Sequence, residues 1–362
     1  VKICDMQIGK INIPLKKPFK TALREVYELE NVVVKIVTDT GNIGYGEAAI
    51  TPVITGDTLG SIKWAIMDQI KPKVIGMDIE NLEEIMKRID NSLVHNESSK
   101  AALDMAIYDL FGQLHDAPVF KLLGGFRNKI VTDITVSVNE PEEMARDAKE
   151  AVEKGYETIK VKVGKDSKKD LERLKAIRNA IGYSVNIRID ANQGWTSKEA
   201  VKVLRMMEDA GLSIELVEQP VKAYDIAGLK YVTENVEIPV LADESVFSPL
   251  DAANIIQNRA ADLVNIKLMK AGGIHNALKI CNFAETYGVQ CMLGCMMESK
   301  IGLTAACHLA GAKSIITKFD LDGPNLCAED PITGGANYDE YTITLEDKPG
   351  LGFEEIGNTI YY

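Results

Sequence analysis

At 362 residues the chain is long enough for an eight-stranded α/β barrel of about 250 residues plus a second domain. Its formal net charge of −12 argues against nucleic acid, which demands a basic surface, and leaves small molecules as the expected partners, with a homo-oligomer left open. No signal peptide is expected from the first residues, no apolar run reaches the roughly 18 residues a membrane span needs, and Cys4, Cys281, Cys291, Cys295, Cys307 and Cys327 show no Cys-x-x-Cys spacing. The expectation is free thiols in a cytoplasmic protein.

Residues 1 to about 50 read as a three-stranded meander. Ile3 to Ile13 has strand composition, Asn31 to Val37 is a strong strand, and Asp39-Thr40-Gly41-Asn42 is hairpin-turn chemistry before Ile43-Gly44-Tyr45-Gly46-Glu47-Ala48. Phe19 to Glu25 reads as a loop between the first two strands. Helical patterns follow at about 57–71 and 80–92, then from Ser98 to His115. Strands followed by helices predict an α+β domain over residues 1–125.

The rhythm then changes to alternating strand and helix over 126–329. Thr132 to Val136 opens it, Glu142 to Lys154 is helical, and the pattern runs on through Val289 to Leu293 and Ile315 to Phe319, eight strands in all. Residues 330–362 revert to short strands and turns, notably Tyr341 to Leu345, and are expected to pack back on the first domain.

Within the barrel region, charges close the apolar runs. Ile159-Lys160-Val161-Lys162-Val163 puts both lysines on one face by period two, and Asp190, Glu218, Asp243 and Lys267 each end the next run, at intervals of 24 to 28 residues. Alone, Lys-x-Lys reads as an exposed edge strand. Six charges on successive strand ends must instead neutralise one another or a ligand, because burying an unpaired ion costs several kcal/mol. Three carboxylates on adjacent strand ends are hard oxygen ligands suited to Mg²⁺, and with no His or Cys among them zinc and copper are disfavoured. Lysines flanking such an ion are expected to have lowered pKa values and to serve as bases. His95, His115, His275 and His308 lie in or beside helical patterns, away from the strand ends.

The ordered set Gly44-Tyr45-Gly46-Glu47-Ala48, Ala101 to Ala106, Leu122-Leu123-Gly124-Gly125, Lys160-Val161-Lys162, Asp190-Ala191-Asn192, Glu218-Gln219-Pro220, Asp243-Glu244-Ser245 and Lys267 resembles the enolase superfamily, in its muconate-lactonizing-enzyme-like subgroup. The resemblance covers the whole chain. It implies a modified TIM barrel, (β/α)7β, capped by an α+β domain built from the N-terminal region and the C-terminal tail. It also implies Asp190, Glu218 and Asp243 as ligands of one Mg²⁺ per subunit, with Lys162 and Lys267 as bases on opposite faces of the substrate and Lys160 near its carboxylate.

Asp320-Leu321-Asp322 resembles the Asp-x-Asp with which dipeptide epimerases, of the L-Ala-D/L-Glu epimerase kind, hold the substrate ammonium. Taken alone it reads more readily as a solvated turn before Gly323-Pro324; its place at the end of the eighth barrel strand reverses that. Further substrate-binding candidates under this resemblance are Thr135, Arg24, Ile54, Met296 and Glu298. Arg24 suits an acidic substrate side chain, whereas Met296, Met297, Ile54 and Tyr27 suit an apolar one, with the lean slightly toward apolar dipeptides. Lys270-Ala271-Gly272-Gly273 has the look of a phosphate-cradling turn but is expected to close the site around Lys267.

The reaction implied is two-base 1,1-proton transfer through an ene-diolate. The rivals are an o-succinylbenzoate synthase or N-acylamino acid racemase, whose substrates lack a free ammonium, and a non-catalytic metal-binding scaffold, disfavoured because both lysines are present.

Overall fold

The computed structural model describes residues 1–21 and 25–361; Arg24 lies outside the described residues. In the cap, β1 (Ile3–Lys20) and β2 (Glu25–Thr38) form a long antiparallel ribbon, and β3 (Ile43–Ala49) joins β2 across the Asp39 to Asn42 turn. β1 continues past Ile13 because β2 pairs with it almost to the tip, from Pro14 opposite Glu28 to Phe19 opposite Val26, with a register shift between.

Helix α1 (Leu59–Trp64) runs through a π-helical turn (65–70) into α2 (Lys71–Val74), followed by α3 (Leu82–Asp90), α4 (Glu97–Leu114) and α5 (Val119–Leu122). α4 is buried along most of its length against the sheet. Its close approach explains Gly44-x-Gly46, since a Cβ on Gly46 would collide with the Ala102 carbonyl and one on Gly44 with that of Ala106.

The chain then lays down β4 (Lys129–Val131), β5 (Ile134–Val136), α6 (Pro141–Glu153), β6 (Thr158–Lys162), α7 (Ser167–Ile181), β7 (Asn186–Asp190), α8 (Ser197–Asp209) and β8 (Ile214–Glu218). It continues through α9 (Ile226–Asn235), β9 (Val240–Ala242), α10 (Pro249–Gln257), β10 (Leu263–Ile266), α11 (Leu268–Ala271), α12 (Ile274–Tyr287), β11 (Cys291–Gly294), α13 (Lys300–Ala312), β12 (Ile316–Asp320) and α14 (Gly323–Leu326). Side-chain caps start five of these helices: Asp166, Thr196, Asp225, Ser248 and Ser299 each accept from a first-turn amide.

β5 to β12 are parallel neighbours in sequence order, giving the (β/α)7β barrel. Among the described residues β5 and β12 are not paired as strands. The seam is stitched instead by the Asp133 amide donating to the Phe319 carbonyl (3.3 Å), the Leu321 amide to Thr132 Oγ1 (2.9 Å) and the Thr135 amide to Asp322 Oδ2 (2.7 Å).

The tail comprises β13 (Ile332–Gly334), β14 (Asn337–Asp339), β15 (Thr342–Thr344), β16 (Phe353–Ile356) and β17 (Thr359–Tyr361). β17 completes the cap sheet beside β1, whereas β15 pairs antiparallel with β4. The strand expected to open the barrel over Thr132 to Val136 is therefore shorter, beginning at Ile134, and the separate strand β4 before it belongs with the tail. No helix among the described residues is long and apolar enough to cross a membrane.

Candidate active site

Period two along the barrel strands sorts the inner face into layers. Leu216, Leu241, Leu263 and Met292 form an apolar floor, and two residues further along their strands stand Glu218, Asp243 and Asn265, with Lys267 at the end of β10. Lys162, Asp190 and Glu218 lie side by side in register across β6, β7 and β8. The charged layer is thus raised above a dry floor, at the C-terminal mouth.

The charges are paired there. Lys160 Nζ lies 2.6 Å from Glu218, 2.6 Å from Asp320 and 3.3 Å from Asp190. Lys162 Nζ meets Asp190 Oδ2 at 2.6 Å, and Lys267 Nζ meets Asp243 Oδ2 at 2.7 Å with Glu218 at 3.8 Å. Lys162 and Lys267, on the second and sixth barrel strands, both line one cavity of about 50 Å³. Thr135, Lys160, Ile54, Met296, Asp320 and Asp322 line it as well.

Glu298 is not brought to the cavity wall. Its Oε1 accepts from the Met296 amide (2.8 Å) in a buried position near Gly302, and burial with the nearby Glu47 pushes its carboxyl up to about 8. The pattern Met296-Met297-Glu298 does not reveal this inward turn, because the residues lie past the strand end, where period two stops.

Other residues at the site escaped the sequence reading. Asn192 and Glu244 line the cavity, and the Asn192 amide donates to Asp190 Oδ1 at 2.8 Å. Lys270, in the turn expected to close the site around Lys267, is buried with Nζ 2.5 Å from Asp243 Oδ1 and bonded to the Asp243 carbonyl. Asn265 Nδ2 donates to Glu218 Oε1 at 3.0 Å. Phe19, Leu326 and Cys295 complete the walls. The only sequence signal was adjacency: Asn192 and Glu244 stand inside the Asp190 and Asp243 motifs.

The side chains by themselves shift Lys160 and Lys267 upward. Burial alone would lower the Lys267 pKa, but Asp243 and Glu218 outweigh it and raise it above the ordinary lysine range. Lys160 is raised in the same way against burial, by Asp320, Glu218 and Asp190. The lowered lysine pKa values expected from a flanking cation require that cation's charge; in this arrangement the carboxylates act on the lysines directly. Conversely, Asp243 is held well below the carboxylate range by Lys267 and Lys270 in spite of burial, while burial and Asp190 push Glu218 up to about 8.

Among the described residues no three side chains already converge as a metal-binding cluster; lysine ammoniums stand between Asp190, Glu218 and Asp243. The donor set nevertheless fits Mg²⁺. All three are hard oxygen donors, and the buried Asn192 Oδ1 and Glu244 Oε2 beside them have no hydrogen-bond partner.

A capped (β/α)7β barrel with three carboxylates and two opposed lysines at its mouth defines a class of proton-abstracting enzymes, and the chain belongs to that class, the enolase superfamily. It matches the family described as Mandelate racemase / muconate lactonizing enzyme, N-terminal domain, over residues 3–124, and Enolase C-terminal domain-like over residues 143–355. It is 62% identical to the L-Ala-D/L-Glu epimerase of Clostridium acetobutylicum, over 98% of this chain and 99% of that protein. The substrate-liganded L-Ala-D/L-Glu epimerase from Bacillus subtilis superposes with a TM-score of 0.96 at 50% identity, covering 98% of this chain and 99% of that one. The dipeptide epimerase from Enterococcus faecalis V583, complexed with Mg and L-Leu-L-Tyr, gives 0.95 at 42% identity, covering 98% and 100%.

Proposed function

We propose that this protein is a Mg²⁺-dependent dipeptide epimerase of the cytoplasm that inverts an α-carbon by two-base 1,1-proton transfer. The observation that carries the reading is one cavity lined by Lys162 and Lys267, from the second and sixth barrel strands, and by the carboxylates of Asp320 and Asp322. Lys162 takes the α-proton of one stereoisomer and Lys267 returns a proton to the other face, and the roles exchange in the reverse direction. Lys160 offers its charge to the substrate carboxylate. Asp320 and Asp322 take the free ammonium, with Thr135 beside them and Ile54 and Met296 as walls.

Asp190, Glu218 and Asp243 would hold one Mg²⁺ per subunit, whose Lewis acidity brings a dianionic ene-diolate within reach. For the second residue, Arg24 and the 62% identical relative favour an acidic side chain such as glutamate. The apolar walls Ile54, Met296 and Met297 favour an apolar one as the second reading. Residues 1–125 and 330–362 serve as the cap and 126–329 as the catalytic barrel.

The test is α-deuterium incorporation from D₂O across a panel of L,L-dipeptides and their N-acetyl counterparts. Exchange is expected with free dipeptides only, to be abolished by chelation and restored by Mg²⁺. Equal turnover of N-acetylated substrates would instead favour an acylamino acid racemase, and full turnover after rigorous metal removal would sink the metal assignment.

A further inference from the structure

The strand ends that carry two of the carboxylates assigned to Mg²⁺ are joined by one buried side chain. β8 and β9 pair only as far as Glu218 opposite Leu241, and Asp243 lies one residue past the end of β9. Beyond that ladder the Gln219 side chain takes over. Its Oε1 accepts the Asp243 amide (2.8 Å) and the Ser245 amide (3.2 Å), and its Nε2 donates to Ser245 Oγ (2.8 Å) and the Val221 carbonyl (3.0 Å). Its main chain binds on both sides as well: the Gln219 amide donates to the Leu241 carbonyl, and the Gln219 carbonyl accepts the Gln193 amide from the loop after Asp190, each at 2.9 Å. Gln219 therefore touches all three segments that follow Asp190, Glu218 and Asp243.

The backbone there is strained. Gln219 has a φ of +36°, in the left-handed region that glycine enters freely and a residue with a Cβ does not. Asn192 and Gln193, in the loop it binds, are turned the same way at +43° and +65°. The fully buried glutamine holds this conformation because its four side-chain hydrogen bonds offset the strain. Those same bonds leave the Glu218 and Asp243 ends little freedom to move apart.

Such rigidity bears on which ion the carboxylates can hold. Mg²⁺ demands near-ideal octahedral geometry, whereas the larger Ca²⁺ takes more oxygens in flexible arrangements. Ligands fixed at one spacing favour the small ion, and ligands free to spread favour the large one. We propose that Gln219 is a positioning residue that sets the spacing of Glu218 and Asp243, and that the site thereby prefers Mg²⁺ to Ca²⁺. The proposal rests on the Mg²⁺ assignment above and deepens it to a buried residue that does not line the cavity.

The experiment titrates the metal-free full-length protein with MgCl₂ and, separately, with CaCl₂ by isothermal calorimetry, with circular dichroism as the check on folding. Gln219→Asn keeps an amide and suits a left-handed backbone, but it is shorter by one methylene and falls short of the Asp243 amide. Ser245→Ala removes the hydroxyl that accepts from Nε2 and leaves the main-chain bonds in place, so it carries the test should Gln219→Asn not fold. The wild type is expected to bind Mg²⁺ about tenfold or more tightly than Ca²⁺. Gln219→Asn should weaken Mg²⁺ binding by about tenfold while leaving Ca²⁺ within about threefold, and Ser245→Ala should lower the preference for Mg²⁺ by about threefold. A preference that falls by less than about twofold in every folded variant overturns the proposal, and so does a wild type that binds Ca²⁺ as tightly as Mg²⁺. Equal weakening of both ions, or lost stability with the preference intact, would mark Gln219 as structural only. A wild type that binds neither ion defeats the metal assignment beneath the proposal instead.

Discussion

Lys162 and Lys267 differ in what surrounds them, although strand periodicity gives them equivalent positions. Lys162 meets Asp190 and faces the Phe19 ring of the cap at 6.0 Å, while Lys267 shares Asp243 with the buried Lys270. If each serves one face of the α-carbon, Lys162→Ala and Lys267→Ala should each lower epimerisation by about a thousandfold or more. Each variant should still exchange the α-proton of the isomer that the remaining lysine faces, read by NMR in D₂O. A Lys267→Ala enzyme that epimerised at the wild-type rate would refute the pairing. These lysines and the three acids could be read from the sequence because each interrupts an apolar run at its end. Asn192, Glu244 and Lys270 lie just beyond the strands, where no periodicity assigns a direction to a side chain.

At the level of elements, the cap is fastened to the barrel by carboxylates at helix N-termini. Glu47, on β3, accepts from the Ser299 amide (2.9 Å), Ser299 Oγ (2.8 Å) and the Gly302 amide (2.8 Å) at the start of α13, and from Asn31 Nδ2 (2.7 Å). Asp104, on α4, accepts the amides of Ile274 (2.6 Å) and His275 (3.0 Å) at the start of α12. Negative charge is favoured at these ends of the helices, and at Gly273 a Cβ would collide with Asp104.

Removing Glu47 leaves four donors without their acceptor in a buried site, so Glu47→Ala should cost about 3 kcal/mol in urea unfolding. It should also raise KM more than it lowers kcat, because the cap supplies Phe19, Thr21 and Ile54 to the cavity. A loss under about 0.5 kcal/mol would show that the contact is dispensable. Sequence patterns located the elements on both sides of this joint, yet nothing in Gly-Tyr-Gly-Glu-Ala says that its glutamate reaches α13. The pairing of β4 with β15 was hidden for the same reason, since its partner lies some two hundred residues away.

Across the whole molecule, the joint carries a pH dependence. His308, buried on α13, accepts the Phe120 amide from the cap on Nδ1 (3.0 Å), and burial pulls its pKa down to about 3. An unfolded chain takes up that proton near the ordinary imidazole value of about 6.5, so between about 6.5 and 3 this histidine binds its proton in the unfolded state only, and its contribution to stability falls as pH falls through that window. The full effect of this one group is on the order of 5 kcal/mol. His308→Gln keeps an acceptor but cannot titrate, so its unfolding free energy should fall less than that of the wild type between pH 7 and pH 4.5. Parallel declines would exclude His308 as the source.

The barrel's seam has a kinetic consequence. Interior strands of a closed ring expose their amides only when the ring as a whole opens, but a ring fastened at one place by a few isolated hydrogen bonds rather than a strand ladder can part there first. The Thr135 and Leu321 amides should therefore lose their protons to solvent in minutes while those of β7 and β8 hold for far longer. Because the Thr135 amide bonds to Asp322, an ammonium bound there should slow the loss at Thr135 and leave β7 unchanged. The barrel would then breathe at the point where it grips its ligand, and the ligand would act as the clasp.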